Sequence, residues 1–259
     1  MPLAADMIGD DQLASYVLGV AVLFARIGGI FLIAPGLSSV RAPVRVRVFL
    51  ALGITLALAP PLVAEAAASV SERTPAAIVR VIATETMVGF FIGLMARLLM
   101  MALQTMAVAI ANMVGLGGIP GLTMDGNEPA QAAAAIFTAT ALVIIFLADI
   151  HHEIIRAAVG SYGVLPAGAA FDPRTALADV AERAGEAFMV ALRLAAPFVI
   201  YSLIVNFAVG LTNKLTPQVP VFFVALPIVT AGGLLVIAYS IREVMFAFQV
   251  AMRALVQAL

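Results

Sequence analysis

The sequence contains no cysteine and no tryptophan, and only 11% of its 259 residues are charged. Soluble domains carry about 25% charged residues, so the composition argues against an ordinary soluble fold. Without cysteine the sequence says nothing about the redox compartment, and without tryptophan one common anchor at a membrane interface is missing. The net charge of −1 gives no reason to expect a nucleic-acid partner.

Sequence motifs of enzymes are also missing. The chain has neither the GxxxxGK[ST] pattern of a P-loop nor an HExxH pattern, and GLGGIPG lacks the strand and helix that flank a dinucleotide fingerprint. No spacing of serine, histidine and acidic residues supports a catalytic group. We therefore expect no enzyme, no catalytic residue and no cofactor. The acidic N-terminal stretch MPLAADMIGDDQ does not begin like a secretory signal, so no cleaved signal is expected.

Potential metal ligands follow the fourth apolar run: Asp149, His151, His152 and Glu153. Adjacent histidines on a helix point about 100° apart, whereas the ligands of a metal must converge. We therefore interpret this cluster as the polar end of a membrane span and expect no metal.

The residues that are present are mostly apolar: 63% are hydrophobic, and the mean hydropathy is +1.11. The length allows about six spans of about 20 residues each. The sequence thus predicts an all-α, polytopic membrane protein with about six long hydrophobic helices, in residues 13–34, 48–68, 76–112, 130–148, 187–211 and 221–239. The tail, residues 241–259, is predicted to form an amphipathic C-terminal helix or to continue the sixth helix.

Two of these predictions carry a difficulty. The third run would form about 55 Å of helix, against a hydrocarbon core of about 30 Å, so it must tilt strongly, break or project beyond the bilayer. The basic residues disagree about orientation: Arg41, Arg45 and Arg47 favour a cytoplasmic first loop, but the opposite side holds more basic residues overall.

The central segment, MVGLGGIPGLTMDGNEPAQ at residues 113–131, is rich in glycine and contains two prolines. No regular helix is expected to cross it, and its unpaired backbone groups cannot face lipid. It is either an ordinary interhelical loop or a mobile element at a pore. A second irregular point is predicted between the last two spans, where Pro217 and Pro220 should form a tight, non-helical tip.

Two ionisable residues, Arg26 and Glu85, lie inside apolar runs. A charge at membrane depth is costly unless it is paired or hydrated, so the two are candidates for pairing with each other. We favour an ion pair that fixes the fold over a role in transport. Near Glu85, the pattern Gly89-Phe-Phe-Ile-Gly93 is of a kind that lets helices approach closely.

Four segments, in order along the chain, form a recognisable set: ARIGGIFLIAPGLSSVRAPVRVRVFLAL, ETMVGFFIGL, DIHHEIIRAAVGSYGVLPAG and ALRLAAPFVIYSLIVNFAVGLTNKLTPQVPVFFVALPI. Together they resemble the FliR family of flagellar biosynthetic proteins and its SctT-like injectisome counterpart in type III secretion. The resemblance covers nearly the whole chain. Val219-Pro220 depart from the family's Leu-Asn or Ile-Asn before Val-Phe.

The resemblance implies one export-gate domain over residues 1–259, with a FliP-like part at 1–186 and a FliQ-like hairpin with the C-terminal helix at 187–259. It implies a channel built with FliP- and FliQ-like subunits, associated with FlhB- and FlhA-like components, that passes unfolded polypeptides across the bacterial inner membrane at the flagellar basal body. Membrane lipid is a further expected contact. The tilted helices of the family would account for the overlong third run and the conflicting charges.

The resemblance also implies roles for particular residues. The channel plug would comprise Gly115, Leu116, Gly117, Gly118, Ile119, Pro120, Gly121, Leu122 and Met124. The hairpin tip, Pro217, Gln218, Val219 and Pro220, would point to the cytoplasm. Three alternatives stay open: an injectisome subunit, a small-solute or ion transporter whose broken helices form a binding site, and a structural membrane scaffold.

Overall fold

A computed structural model of the chain describes residues 10–38, 43–70, 74–117, 129–218 and 220–258. These residues form seven α-helices and no strand, which confirms the predicted all-α class. The helices are α1 (Asp10–Ile33), α2 (Val44–Ala68), α3 (Pro75–Met113), α4 (Pro129–Leu147), α5 (Ile150–Val164), α6 (Pro173–Leu215) and α7 (Val221–Gln257). All except α5 are long and apolar enough to cross a membrane.

Helix α2 begins earlier than the sequence predicts. Its first residue is Val44, directly after Pro43, because proline is well tolerated at a helix start, where no intrahelical donor is needed. Arg45 and Arg47, predicted in a loop, therefore lie in the first turn of a helix. The apolar run predicted at about residues 48–68 therefore begins inside this helix, and the placement of Arg45 and Arg47 in a loop was wrong.

Helix α3 is continuous for 39 residues, or about 58 Å at the usual rise of an α-helix. Of the three explanations offered for the overlong third run, a break is ruled out between residues 75 and 113. The helix must tilt or extend beyond the hydrocarbon core.

Helix α5 was not predicted as a separate element. Asp149 adopts a φ of 58° and separates it from α4, in a left-handed conformation that aspartate accepts more readily than most residues. The buried residues of α5 recur at helical spacing on one face: Ile150, Ile154, Ala158, Ser161 and Tyr162. The sequence alone indicated a polar span end and a loop in this stretch. The residues form a helix because one face of it is buried.

The last two helices are longer than their apolar runs. Helix α6 starts at Pro173 and continues for 43 residues through Pro197, so the charged stretch before residue 187 belongs to it. The Asp172 carboxylate accepts hydrogen bonds from the backbone N–H of Arg174 and the Thr175 hydroxyl, as expected for an N-cap. The C-terminal tail continues α7, which runs to Gln257, so of the two predicted forms the continuation is correct.

The chain divides into two compact units. The first contains α1, α2, α3 as far as Arg97, α5 and the start of α6, and its core includes Val22, Leu23, Ala59 and Tyr162. The second contains the rest of α3, α4 and most of α6 and α7. Fully buried residues of the second unit include Leu103, Ile110, Ile145, Phe198, Phe248 and Met252.

Candidate functional site

The first unit contains a buried ion pair between α1 and α3. Arg26 Nε donates to Glu85 Oε2 at 2.7 Å, and Arg26 Nη2 donates to Glu85 Oε1 at 3.0 Å. Both residues are 0% exposed. The structure thus brings together the two charges that the sequence singled out within apolar runs, in the two-pronged geometry that makes an arginine–carboxylate pair strong.

The segment after α4 completes the surroundings of this pair. Arg26 Nη1 donates to Ser161 Oγ, and Nη2 donates to the Leu165 carbonyl, each at 3.0 Å. The backbone N–H of Gly168 donates to Glu85 Oε1 at 2.9 Å. Four of the five N–H donors of a guanidinium are therefore used. Hydrogen bonds and charge pairing together offset the cost of burying both groups.

An aromatic ring closes the remaining side of the arginine. The guanidinium carbon of Arg26 lies 3.8 Å from the centre of the Tyr162 ring, a cation–π contact. The Tyr162 hydroxyl is buried, with no hydrogen-bond partner in the part of the chain described. Burial raises the pKa of Tyr162 well above its ordinary value, so this phenol stays neutral. We call Arg26, Glu85, Ser161, Tyr162 and the backbone of residues 165–168 the arginine node.

Glycines make the node possible by letting α1 and α3 approach closely. A Cβ on Gly89 would lie 1.9 Å from the Arg26 carbonyl oxygen, and one on Gly93 would lie 2.9 Å from the Ile30 carbonyl oxygen. On the facing helix, a Cβ on Gly29 would lie 2.5 Å from the Thr86 carbonyl oxygen. The small-xxx-small pattern of α3 therefore marks a helix crossing.

Chemically, the node can hold parts of the chain together. Arg26 and Glu85 are buried, and the hydrogen bonds of the node join α1 and α3 to α5 and the following turn. The interpretation of the pair as fixing the fold stays a prediction. Sequence analysis missed Ser161, Tyr162, Leu165 and Gly168 as its members. The quoted segment GSYGVLPAG, with its serine and Pro-Ala-Gly turn, was the available signal.

In the second unit, the start of the glycine-rich central segment lies against α7. Gly115 has a φ of 83°, and its carbonyl accepts a hydrogen bond from Thr230 Oγ1 at 3.3 Å. A Cβ on Gly233 would lie 2.4 Å from Val114 Cβ, so the absence of a side chain there lets the chain sit close to the helix. These contacts hold residues 114 and 115 against α7.

Of the predicted plug residues, Gly115, Leu116 and Gly117 are described by the structure. The others, Gly118, Ile119, Pro120, Gly121, Leu122 and Met124, lie outside the described residues. A cavity of about 330 Å³ lies beside these three residues. Its lining includes Asn112, Gly115, Asn206, Ala225 and Val229. The Asn112 and Asn206 side chains give this cavity a polar component that the surrounding apolar helices lack.

The hairpin tip is non-helical at its described positions, as predicted. Helix α6 ends at Leu215 and α7 begins at Val221, with Pro217, Gln218 and Pro220 between them; Val219 lies outside the described residues. A hydrogen bond joins the two helices: the Tyr201 hydroxyl donates to the Val229 carbonyl. Gly232 leaves room for this contact, since a Cβ there would lie 2.6 Å from the hydroxyl oxygen.

The two histidines of α5 are closer to each other than the sequence argument assumed. The ring centres of His151 and His152 are 4.1 Å apart, with an interplanar angle of 36°. The argument from a 100° separation along the helix did not allow for side-chain rotation, which brings adjacent rings together.

Comparison with known proteins assigns the chain to a family. Residues 17–255 match the model of the family described as bacterial export proteins, family 1. The flagellar biosynthetic protein FliR of Caulobacter vibrioides is 30% identical over 224 residues, covering 86% of this chain and 88% of the relative.

Two further flagellar biosynthetic proteins FliR show lower identity. The protein of Pectobacterium carotovorum is 27% identical over 214 residues, covering 82% of this chain and 80% of the relative. The protein of Escherichia coli is 26% identical over 205 residues, covering 79% and 77%. The family resemblance found in the sequence is confirmed: the chain belongs to the bacterial export proteins, family 1, as a FliR-like member.

Proposed function

We propose that this chain is a component of flagellar type III protein export and forms, with FliP- and FliQ-like subunits, a channel through which unfolded flagellar proteins cross the inner membrane. The observation that carries the proposal is the family match over residues 17–255. The relatives reported above are all flagellar biosynthetic proteins, which favours a flagellar system over an injectisome. The site of action would be the flagellar basal body, where FlhB- and FlhA-like components would associate.

Exposed apolar surface supports assembly with other subunits. In the most apolar stretches of α2 and α7, only 17% and 6% of the residues are buried within the chain. In an assembled channel, neighbouring helices and lipid would cover these faces. The FliP-like part would comprise residues 1–186 and the FliQ-like part residues 187–259.

Within this channel, the central glycine-rich segment would act as the plug. Gly115 is anchored on α7, and the glycines after it give the following segment soft backbone dihedrals with which to enter or leave a lumen. Apolar members such as Leu116 would exclude water from a narrow opening, as hydrophobic constrictions do. Deleting residues 117–123 should leave assembly intact and make the membrane leaky to small ions. Unchanged ion permeability in an assembled complex would leave the segment as a connector.

Purification of a tagged chain from its native membrane tests the assembly. We expect FliP- and FliQ-like subunits to be recovered with it, and motility to be lost when the gene is removed and restored when it is returned. Recovery as a stable monomer or homo-oligomer, with motility unaffected by removal, would contradict the proposal and favour a solute transporter.

The orientation of the hairpin can be tested because the chain has no cysteine of its own. With Gln218→Cys as the only thiol, a membrane-impermeant maleimide should label the tip from the cytoplasmic side. Labelling from the periplasmic side alone would reverse the proposed orientation.

A further inference from the structure

An open cavity of about 560 Å³ lies between α1, α2 and α3 in the first unit. On α1 the lining combines a stripe of small residues, Ala21, Ala25 and Gly28, with the larger Phe24, Phe31 and Leu32, and on α2 it includes Val44 and Val48. A Cβ on Gly28 would have no heavy atom within 4 Å. The space is therefore not filled by the chain itself, and its volume falls within the range of about 300–1,000 Å³ typical of small-molecule sites.

One charged residue, Arg47, is among those that line this mostly apolar cavity, and no acidic residue is among them. The Arg47 Nε is buried and has no hydrogen-bond partner in the described ranges of the chain. A buried donor without a partner is costly, so a ligand that supplies an acceptor at this point would be bound favourably. The helix dipole gives the first turn of α2 a partial positive charge, and its preceding residue, Pro43, provides no side-chain cap.

Arg47 lies near the start of a helix that is apolar enough to cross a membrane. Helices α1 and α2 are both candidate membrane spans, and basic residues near the ends of such spans attract anionic lipids. The cavity thus combines an apolar slot between two candidate spans with an arginine whose Nε has no hydrogen-bond partner among the described residues.

We propose that this cavity binds an anionic phospholipid, with an acyl chain along the α1 stripe and the phosphate on Arg47. The proposal rests on the cavity and its charge and does not depend on the export function. A helix of another subunit would have to bring an acidic side chain to one particular point, whereas a flexible anionic phospholipid can place its phosphate on Arg47 and an acyl chain along the apolar lining at the same time. The charge of Arg47 beside an apolar slot therefore favours lipid over protein as the occupant.

The charge is tested by native mass spectrometry of the detergent-solubilised, purified assembly with added palmitoyl-oleoyl phosphatidylglycerol or phosphatidylcholine. We expect the wild type to retain phosphatidylglycerol in preference, and Arg47→Gln to lower that preference about fivefold. The matched control is Arg45→Gln, which removes an exposed arginine of the same turn that is not among the cavity-lining residues. Equal effects of the two variants, or no preference in the wild type, would overturn the proposal.

The slot is tested by filling it. Gly28→Leu should reduce retention of both lipids, whereas Gly53→Leu, at an exposed glycine of α2 whose Cβ would also meet nothing within 4 Å, should not. Thermal unfolding of each variant shows whether it is folded. If Gly28→Leu does not fold, Arg47→Gln still tests the site independently. If Gly28→Leu folds and retains lipid as the wild type does, but loses the other subunits, the occupant is a protein helix. That result would refute lipid binding.

Discussion

Replacing Glu85 by glutamine tests the arginine node directly, because the shape of the side chain is kept and its charge is removed. Arg26 would then keep neutral acceptors at Ser161 and Leu165, but its charge would be buried without a counter-charge. Breaking a buried ion pair by removing one partner costs about 3–5 kcal/mol. In a chain of this size the apparent melting temperature should fall on the order of 10 °C.

The assay is thermal unfolding in detergent, combined with the yield of assembled complex. A more exposed ion pair on α5 provides the control: Arg156 Nη1 lies 3.1 Å from Glu153 Oε1, and the side chains of Arg156 and Glu153 are 75% and 25% exposed. Arg156→Gln, at the exposed partner, should cost less than about 0.5 kcal/mol, because surface ion pairs contribute little.

A double-mutant cycle distinguishes pairing from independent effects. Arg26→Ala and Glu85→Ala should each lower stability and complex yield, and the double variant should recover part of the loss, because no unpaired charge is left. Strictly additive losses would refute the reasoning.

Three further predictions concern helix packing and capping. Gly89→Ala should destabilise by about 1–3 kcal/mol or more through overpacking at the helix crossing, whereas Gly185→Ala, where a Cβ meets nothing within 4 Å, should be neutral or stabilising; thermal unfolding measures both. Tyr201→Phe should cost about 0.5–1.5 kcal/mol by removing the hydroxyl bond to α7, and an unchanged unfolding temperature would contradict that bond. The Thr175 hydroxyl bond holds the pKa of Asp172 below its usual 3.8, so the carboxylate contributes stability above pH 3.8 that is lost as the pH falls through the lowered value. Asp172→Ala should abolish this part of the pH dependence of unfolding.

The sequence was sufficient for the features that depend on apolar runs and isolated charges. Hydropathy indicates the six long apolar helices and marks Arg26 and Glu85 as ionisable residues within apolar runs. Proline chemistry indicates the non-helical tip near Pro217. These signals are local, and the structure agrees with each. The approach of α1 to α3 was indicated only weakly, since glycines such as Gly89 and Gly93 are common throughout the chain.

The features that depend on tertiary packing were missed. Helix α5 has too short an apolar face to stand out, and it is defined by the burial of residues such as Ile150 and Ile154. The serine and backbone partners of Arg26 come from a segment that lies 135 or more residues further along the chain. No periodicity within one run can indicate such contacts, because they depend on how the helices are arranged in space.

The central claim, that the chain forms part of a protein-conducting channel, is tested most directly by site-specific cross-linking in living cells. A photo-reactive amino acid at Leu116, just beyond the anchored Gly115, would be combined with a flagellar export substrate arrested in transit by a folded domain at its end. We predict a cross-link between this chain and the arrested substrate, and none with the same substrate lacking its export signal. An absent cross-link in cells that assemble the complex and arrest the substrate, or one that forms equally without the signal, would contradict the account.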